Sequence, residues 1–318
     1  MLTRVAVTGA GGFIGGAVAR RLVADGADVA GLDLPAAGDR VRATGARFVA
    51  CDVTDPAATA AALRGVPHVV HAAAIVSDWG PMEAFVRVNV EGTRNVLDAA
   101  AAAERVVHVS SIAIWGHDLA QDVHEDAEPR PSGDPYVDTK GASDALARER
   151  GATVVRPGDV YGPGSVPWAI RPLQALRARR FAVPPRGLVT PVYVDDLVDL
   201  IVLALTRPEA AGRTFVGWEG PPVPAREFFD RYARMLGRRR APALPAPLLK
   251  AFAALDEAVA RRRGRAPTAT RWAVSYLSRR SAYRASRAQE LLGWRPHVGL
   301  DEGMRRTEAW ARAEGLLD

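Results

Sequence analysis

The sequence has little cysteine, little lysine and no long apolar run. Cys51 is the single cysteine among 318 residues, which excludes a disulfide framework, a cysteine-ligated zinc cluster and a CxxC redox motif. No apolar stretch reaches the roughly 18–20 residues that cross a bilayer. Glycines, Arg20 and Arg21 interrupt the pattern that a signal peptide would need. These absences predict a cytoplasmic protein without an integral membrane span.

Lysine is nearly absent, because all but two of the 42 basic residues are arginine and only Lys140 and Lys250 are lysine. This skew, with abundant alanine, glycine and proline, is typical of a GC-rich coding sequence and accounts for the net charge of +6. A nucleic-acid surface would gather basic residues on one face with aromatics between them. The basic clusters here are scattered among helical patterns, so we expect no nucleic-acid partner.

Short apolar runs alternate with longer helical patterns through the first half of the chain. The predicted strands are residues 4–8, 28–33, 47–51, 68–72, 105–110 and 153–156, and the predicted helices are 12–25, 56–63, 81–104 and 135–150. Alternation of this kind implies right-handed crossovers and a parallel sheet covered by helices on both faces. The sequence therefore predicts a doubly wound α/β domain over residues 1–160.

The regular alternation of predicted strands and helices ends near residue 160. Prolines and glycines are frequent in residues 157–172 and 184–191. We expect residues 161–318 to form mainly a substrate-binding or lid domain over the end of the sheet. One helical stretch, residues 248–263, carries Leu249, Phe252, Leu255 and Val259 on one face and ends in an arginine cluster. It fits a lid or dimer helix and, as the alternative, a peripheral membrane helix.

The sharpest local motif is TGAGGFIG at residues 8–15, directly after the first predicted strand. A residue without Cβ permits a tight turn and lets backbone N–H groups approach a pyrophosphate at a helix N-terminus. The spacing of Gly9, Gly12 and Gly15 thus predicts a dinucleotide phosphate loop. Phe13 and Ile14, between the last two glycines, complete the predicted contacts of this loop.

The end of the second predicted strand bears on the choice of dinucleotide. Asp33 can accept hydrogen bonds from both adenosine-ribose hydroxyls and would repel a 2′-phosphate, which favours NAD over NADP. Arg40 and Arg42 lie downstream and leave NADP open. Asp52, with Val53 beside it, follows the third strand and is placed to meet the adenine amino group.

Tyr136 and Lys140 stand four residues apart at the start of a predicted helix, so both side chains share one helical face. A nearby ammonium and a positive nicotinamide ring would favour the phenolate that a free tyrosine rarely forms at neutral pH. Ser110 and Ser111 end the fifth predicted strand, at the sheet edge where α/β proteins bind ligands. A serine hydroxyl there can hold the substrate oxygen while Tyr136 moves its proton.

Together these motifs resemble the extended short-chain dehydrogenase/reductase superfamily, in its NAD-dependent epimerase/dehydratase and 3β-hydroxysteroid dehydrogenase-like group. The likeness runs through HAAA at 71–74, NVEGTRNVLDAA at 89–100, VSSIAIWG at 109–116, RPGDVYGPG at 156–164, PVYVDDLVDL at 191–200 and ELLGWRPHVGLDEGM at 290–304. It implies a seven-stranded Rossmann sheet with a small C-terminal substrate-binding domain. It also implies a homodimer through the helices at 81–104 and 135–150.

The resemblance implies a catalytic set of Ser111, Tyr136 and Lys140 that exchanges hydride at a carbinol carbon, with Lys140 also holding the nicotinamide ribose. Further cofactor contacts are implied for Ala72, Ala73, Ala74, Asn89, Ser110, Pro157 and Val160. In this reading the alanines line the pyrophosphate path, and the backbone after Arg156 meets the carboxamide.

Departures from the family pattern narrow the reaction. Ile112 and Ala113 follow Ser111 where dehydratases resemble one another in an Asp-Glu pair, which disfavours dehydration. Asp159 stands where nucleotide-sugar enzymes commonly carry asparagine, and its carboxylate is expected to repel a diphosphate. We therefore predict NAD-dependent oxidation or reduction of an apolar alcohol or ketone. The alternatives are a nucleotide-sugar 4-epimerase and a non-catalytic dinucleotide-binding protein.

Aromatic and polar residues at the predicted pocket edges are the candidate substrate contacts: Ser77, Asp78, Trp79, Trp115, Tyr161, Trp168 and Tyr193. His71, His108 and His117 lack the spacing of a metal motif, so structural roles and no metal are expected for them.

Overall fold

The computed structural model describes residues 2–117, 123–218, 220–280 and 283–317. Its strands are β1 (Arg4–Thr8), β2 (Asp28–Asp33), β3 (Arg47–Ala50), β4 (His68–His71), β5 (Arg105–Val109), β6 (Val123–His124), β7 (Thr153–Pro157), β8 (Asp159–Tyr161), β9 (Leu188–Val189), β10 (Pro191–Tyr193), β11 (Thr214–Gly217), β12 (Val223–Pro224) and β13 (Tyr283–Arg284).

The α-helices alternate with these strands through the first half of the chain and predominate in the second. They are α1 (Phe13–Ala24), α2 (Gly38–Arg42), α3 (Pro56–Leu63), α4 (Met82–Phe85), α5 (Gly92–Ala99), α6 (Pro135–Glu149), α7 (Arg171–Arg177), α8 (Val194–Thr206), α9 (Ala225–Met235), α10 (Ala246–Arg263), α11 (Arg271–Leu277), α12 (Arg287–Leu292) and α13 (Leu300–Ala313). None of these described helices combines the length and the apolar character that crossing a membrane requires.

Seven parallel strands form the central sheet in the order β11-β7-β5-β4-β1-β2-β3. The strand order reverses between β1 and β4, which makes their carboxyl ends a topological switch point where open α/β sheets bind ligands. This confirms the predicted doubly wound α/β sheet. Strand β11 comes from the second half of the chain, while the predicted domain division at residue 160 stays a prediction.

Both faces of the sheet are buried, as its valine-rich strands require. Along β1, Val5 and Val7 join the core under α1 and α8, whereas Ala6 points to the other side, toward α3 and α5. All five residues of β7 are buried. Helices therefore fix the strand ends from both sides, and the loops at the carboxyl edge are left to build a site.

The predicted helix at 81–104 is interrupted and shorter than expected. It consists of α4, a π-helical segment at Val86–Glu91 and α5, which ends at Ala99. A π-helical segment shifts the side chains that follow it around the axis and is frequent at functional sites. Here it carries Asn89, one of the predicted cofactor-site residues.

Candidate active site

Two helix N-termini and the carboxyl ends of three strands meet at one edge of the sheet. The glycine loop joins β1 to α1, residue 72 follows β4, and Ser110 and Ser111 follow β5 directly. Helix α6, which carries Tyr136 and Lys140, packs on the short 3₁₀ helix Ile112–Trp115 just beyond those serines. The structure therefore brings the predicted phosphate loop and the predicted catalytic residues to the same edge.

The glycine loop takes a conformation that side chains would prevent. Gly9 has φ +67°, and a Cβ built on it would stand 2.8 Å from the backbone nitrogen of Ala73. A Cβ on Gly15 would overlap the carbonyl oxygen of Gly9. Gly12, the residue before α1, has no side chain that could cap the helix. The first backbone N–H groups of α1 therefore have no capping side chain as a hydrogen-bond partner. The loop thus has the close backbone and open helix N-terminus that a pyrophosphate requires.

We expect Gly15→Ala to weaken NADH binding at least about tenfold, a loss near 1.4 kcal/mol, because the added methyl group must displace the Gly9 carbonyl. NADH fluorescence titration measures the dissociation constant. Gly299→Ala is the matched control, since a Cβ there meets nothing within 4 Å. Unchanged NADH affinity in Gly15→Ala would contradict the close packing described here.

Asp33 lies against the glycine loop. Its Oδ2 accepts a hydrogen bond from the backbone N–H of Gly11 at 2.8 Å, and its Oδ1 accepts one from Leu34 at 2.8 Å. Each carboxylate oxygen keeps a second lone pair for a ribose hydroxyl. Nε of Arg40 donates to the Gly11 carbonyl at 3.0 Å, which places the guanidinium beside the same loop.

The predicted adenine contacts lie after β3. Oδ1 of Asp52 accepts hydrogen bonds from the backbone N–H and the hydroxyl of Thr54, each at 2.9 Å. Val53 is buried, and its carbonyl accepts a hydrogen bond from Asn95 at 2.9 Å. This turn leaves Asp52 exposed beside an apolar floor.

A directed chain of hydrogen bonds runs beneath the glycine loop. The backbone N–H groups of Ala72 and Ala73 donate to Thr8 Oγ1, each at 3.2 Å, and Thr8 Oγ1 lies 2.7 Å from Nδ1 of His71. Nε2 of His71 lies 2.9 Å from Thr93 Oγ1. Burial lowers the pKa of His71 to about 3, so the ring is neutral. Because the Thr93 hydroxyl donates to the Asn89 carbonyl, it accepts from Nε2 of His71, which carries the ring proton. His71 therefore ties β1 and β4 to α5, a structural role.

Asn89 continues this chain toward α6. Its backbone carbonyl accepts the Thr93 hydroxyl at 2.6 Å, and its side chain both accepts from the Ile75 N–H at 2.7 Å and donates to the Ile75 carbonyl at 3.2 Å. The same amide donates to Thr139 Oγ1 on α6 at 3.0 Å. Asn89 thus holds the segment after β4 against the helix that carries Tyr136.

The side chains of Tyr136 and Ser111 are neighbours at this edge of the sheet. Burial raises the pKa of Tyr136, the Ser111 hydroxyl lowers it, and the nearby charge of Asp134 raises it further. Asp134 caps α6 by accepting from the backbone N–H groups of Tyr136 at 3.0 Å and Val137 at 3.1 Å. The cap fixes the start of the helix that carries Tyr136.

Lys140 lies one turn further along α6 and is buried. Its Nζ donates to the carbonyl of Val109 at 2.7 Å. Burial lowers the pKa of Lys140 to about 8, although the Asp144 carboxylate partly opposes the shift. The ammonium thus reaches the end of β5, next to Ser110.

A buried ion pair supports this part of α6. Asp144 accepts two hydrogen bonds from Arg156, at 2.8 and 2.6 Å, and Arg156 also donates to the Glu125 carbonyl at 2.7 Å. Burial raises the pKa of Asp144, but the Arg156 guanidinium outweighs it and the net shift is downward. Asp144 therefore stays a carboxylate, paired with Arg156.

The side chains packed near Tyr136 are mostly aromatic. Tyr136, Trp168 and Trp272 pack against a small buried cluster that contains Tyr276. The rings of Trp272 and Tyr276 stack with centroids 4.8 Å apart. The buried Nε1 of Trp272 has no hydrogen-bond partner among the described residues. The phenol thus borders an aromatic surface with one free N–H donor.

Asp159 has a different environment from the one expected. It accepts hydrogen bonds from the Thr190 backbone at 2.7 Å and from the Tyr276 hydroxyl at 3.0 Å, and it forms a buried ion pair with Arg279. Its charge is neutralised, so the repulsion predicted for a diphosphate is wrong as an electrostatic argument. Asp159 instead connects β8 to α11.

The structure separates the predicted substrate residues into two groups. Trp115 is buried between the Arg156 guanidinium at 4.9 Å and the Tyr283 ring at 5.5 Å, and Tyr161 and Tyr193 are buried edge to face at 5.5 Å. The positions of these three rings are interior packing positions. Pro157 and Val160, the predicted carboxamide contacts, are also buried, at the end of β7 and in β8.

The other group lies near α9, α10 and α11. Trp168 stacks on Phe229, and the Ser77 hydroxyl donates to the Trp79 carbonyl at 3.0 Å. Asp78 accepts a hydrogen bond from Thr270 at 2.6 Å. The segment at 77–79 is therefore held against the second half of the chain.

Sequence reasoning missed Trp272, Tyr276 and Arg279. They lie on or just after α11, far along the chain from Tyr136 and outside the motifs that carry the family resemblance. The available signal was the spacing of two aromatics, Trp272 and Tyr276, at i and i+4, which would share one face if the segment were helical.

One group of potential metal ligands appears among the described residues. Ligand atoms of Asp196, Asp199 and His297 lie within 4.8 Å of one another. Asp196 already accepts the backbone N–H of His297 at 2.9 Å, and Asp199 is paired with Arg21. These carboxylates fasten the segment after α12 to α8.

Comparisons with known proteins agree with this architecture. A family model described as the NAD dependent epimerase/dehydratase family matches residues 5–216. A UDP-glucose 4-epimerase of Mycolicibacterium smegmatis is 30% identical, over 97% of this chain and 98% of that protein. A 2-alkyl-3-oxoalkanoate reductase of Stenotrophomonas maltophilia is 27% identical, over 98% and 100%. A UDP-glucose 4-epimerase structure from Thermotoga maritima has a TM-score of 0.78 at 23% identity, over 98% and 99%, which confirms the fold.

Proposed function

Because the chain belongs to the NAD-dependent epimerase/dehydratase family, we propose that it is an NAD-dependent dehydrogenase of an apolar secondary alcohol or ketone. Family membership confirms the resemblance drawn from the motifs and makes the chain an enzyme that acts on a CH–OH group. The observation that carries the proposal is the position of Tyr136 next to Ser111, packed against a cluster of aromatic side chains.

The glycine loop and Asp33 fit NAD. The open N-terminus of α1 and the side-chain-free approach of Gly9 to Ala73 suit a pyrophosphate, and Asp33 suits the adenosine ribose. NAD, when bound, provides the nicotinamide that accepts or donates the hydride. In this proposal Lys140 holds the nicotinamide ribose.

For the proposed reaction, the protein must hold the substrate oxygen and move one proton to or from it. In the oxidation direction, the Tyr136 oxygen takes the proton from the substrate hydroxyl while Ser111 hydrogen-bonds the same substrate oxygen. In reduction, Tyr136 returns the proton. The Asp134 cap and the Asn89 amide keep α6 and the segment after β4 in register, so that the two hydroxyls stay on the same substrate atom.

The aromatic surface favours an apolar substrate over a nucleotide sugar. Trp168, Trp272 and Tyr276 pack in the same cluster as Tyr136, and the buried Trp272 Nε1 adds a single donor. The carboxylate oxygens of Asp159 already have Thr190, Tyr276 and Arg279 as partners. A pocket that is apolar with few polar groups selects for shape and for one oriented hydroxyl or carbonyl. The similar reductase from Stenotrophomonas maltophilia is named for such a ketone.

An NADH-release assay with the purified protein tests this proposal. We expect stoichiometric NADH formation with long-chain 3-hydroxyalkanoates, terpenoid alcohols or 3β-hydroxysteroids, and none with UDP-glucose. A panel of these compounds that gives no NADH and no ketone reduction, with intact NADH binding, would refute the dehydrogenase.

A nucleotide-sugar 4-epimerase is the second candidate. It is favoured by the 30% identity to the Mycolicibacterium smegmatis epimerase over nearly the whole chain. Such an enzyme would keep NAD bound and show no net redox change. Interconversion of UDP-glucose and UDP-galactose without NADH release would select it over the dehydrogenase.

NAD is proposed over NADP, and Asp33 provides the test. We expect Asp33→Asn to reduce the preference for NADH over NADPH about tenfold, since the amide no longer repels a 2′-phosphate but keeps an acceptor for the ribose. The ratio of the two dissociation constants, measured by fluorescence titration, reports this preference. Asp39→Asn is the control, an exposed carboxylate on α2 nearby. An unchanged ratio would contradict the role given to Asp33.

We also propose that the chain forms a homodimer through α4, α5 and α6, as the family resemblance implies. Light scattering on the purified protein would measure its mass in solution. The cytoplasmic location stays a prediction.

A further inference from the structure

Helix α10 presents a stripe of large apolar side chains that the described part of the chain leaves uncovered. Phe252 is 62% exposed, Leu255 is 64% exposed and Leu248 is 51% exposed. With 3.6 residues per turn these three side chains share one face. Ala253, Glu257 and Ala260 are buried on the opposite face. The helix is thus attached to the protein on one side and apolar on the other.

The free charged groups beside this face of α10 are positive. The 3.6-residue period places Arg262 and Arg263 at the end of the apolar stripe, and both are exposed. The two carboxylates of α10 are already engaged: Asp256 accepts from Arg265 at 2.5 Å, and Glu257 accepts from Arg271 at 3.0 Å. The face therefore offers apolar side chains and free guanidinium groups, with no free carboxylate from α10.

We propose that α10 docks the protein onto an anionic lipid surface, with Phe252 and Leu255 in the headgroup and acyl boundary and Arg262 and Arg263 at the lipid phosphates. A helix with one apolar face and cationic residues beside it lies in such an interface, held by apolar burial and by attraction to anionic lipid. A second copy of α10, packed across a two-fold axis, suits this face less well. It would bring further arginines and no free carboxylate to meet them.

The position of α10 connects this surface with the catalytic edge. The guanidinium of Arg261 lies 5.0 Å from the ring of Trp79, and Glu257 accepts the backbone N–H at the start of α11 at 2.7 Å. Helix α11 carries Trp272 and Tyr276, which border Tyr136. A docked α10 would therefore hold the aromatic side of the site near the lipid. The docking itself does not depend on the proposed substrate class.

Vesicle sedimentation with the full chain tests the docking. We expect the protein to sediment with vesicles of equimolar phosphatidylcholine and phosphatidylglycerol, but not with vesicles of phosphatidylcholine alone. Binding should weaken at high ionic strength, because salt screens the arginine contribution. Phe252→Ser with Leu255→Ser, and separately Arg262→Glu with Arg263→Glu, should each reduce the vesicle partition coefficient at least about tenfold, the factor that 1.4 kcal/mol represents.

Matched controls distinguish docking through α10 from nonspecific adsorption to vesicles and from misfolding. Leu291→Ser removes an exposed apolar side chain on α12, and Arg239→Glu with Arg240→Glu reverses two exposed charges outside α10. Both controls should sediment like the parent, and all variants should keep the parent's unfolding temperature and NADH affinity. The proposal fails if the parent ignores anionic vesicles, or if both lipid compositions bind it equally. It also fails if light scattering shows that the Phe252 and Leu255 changes dissociate a dimer while vesicle binding is absent.

Discussion

Tyr136→Phe is expected to lower the turnover number about 10²–10⁴-fold while leaving NADH affinity within about twofold of the parent. The substitution removes the only group that moves the substrate proton in the proposed reaction. The phenyl ring keeps its packing against the cluster of Ala113, Val137 and Tyr276, so the fold should persist. Steady-state kinetics on the reactive substrate and NADH titration measure the two effects.

Tyr232→Phe is the matched control for this experiment. Tyr232 is fully buried, and its hydroxyl has no hydrogen-bond partner among the described residues. Loss of that hydroxyl should leave turnover unchanged. Tyr136→Phe with parent-like turnover would remove Tyr136 from the mechanism.

The environment of Tyr136 also sets the pH dependence. Burial raises the pKa of this phenol in the free protein, with the neighbouring Ser111 hydroxyl opposing the shift. Oxidation needs Tyr136 without its proton and reduction needs Tyr136 with it. The rate of oxidation is therefore expected to rise with pH through the tyrosine titration, while reduction is favoured at lower pH.

The sequence is sufficient to predict those parts of the site that depend on neighbours in the chain. The glycine loop can be predicted because three glycines, a strand before them and a helix after them lie within a few residues. Tyr136 and Lys140 are readable because one helical turn fixes their common face. The valine-rich strands predict the parallel sheet because burial on both faces removes polar alternation.

The remaining parts depend on residues that meet only in the folded chain. From the sequence, Asp159 is expected to be a free carboxylate. In the structure it forms an ion pair with Arg279, which lies far along the chain. Trp115 reads as a pocket residue, yet Arg156 and Tyr283 enclose its ring. The π-helical turn that carries Asn89 leaves no pattern distinct from an ordinary helix. Each case is set by tertiary packing, which local periodicity does not encode.

Lys140→Met is expected to abolish most activity and yet stabilise the protein. Burial lowers the pKa of Lys140 from 10.5 to about 8, so the folded state holds this ammonium at a cost of about 3 kcal/mol near neutral pH. Methionine fills a similar volume without the charge. The Val109 carbonyl loses its donor, which returns about 1 kcal/mol. The net expectation is a gain of about 1–2 kcal/mol in the free energy of unfolding.

The pH dependence of this gain follows from proton binding. Between the folded pKa of about 8 and the unfolded value of 10.5, the unfolded parent binds more protons than the folded parent, so the parent becomes more stable as pH rises through that window. The variant lacks this group. Its advantage should be full below pH 8 and should shrink toward pH 10.5.

Urea unfolding at neutral pH and again within that window measures both the gain and its sign. Asp144 keeps Arg156 and Arg148 as partners when Lys140 is removed, so no buried carboxylate is left unpaired. Lys250→Met is the control, because the only other lysine is exposed on α10 and its loss should change stability by less than about 0.5 kcal/mol. A Lys140→Met protein that is less stable than the parent, or whose difference is independent of pH, would contradict the buried-ammonium argument. A gain in stability with loss of turnover would indicate that this chain, which uses arginine at nearly every basic position, keeps a destabilising lysine where its chemistry needs one.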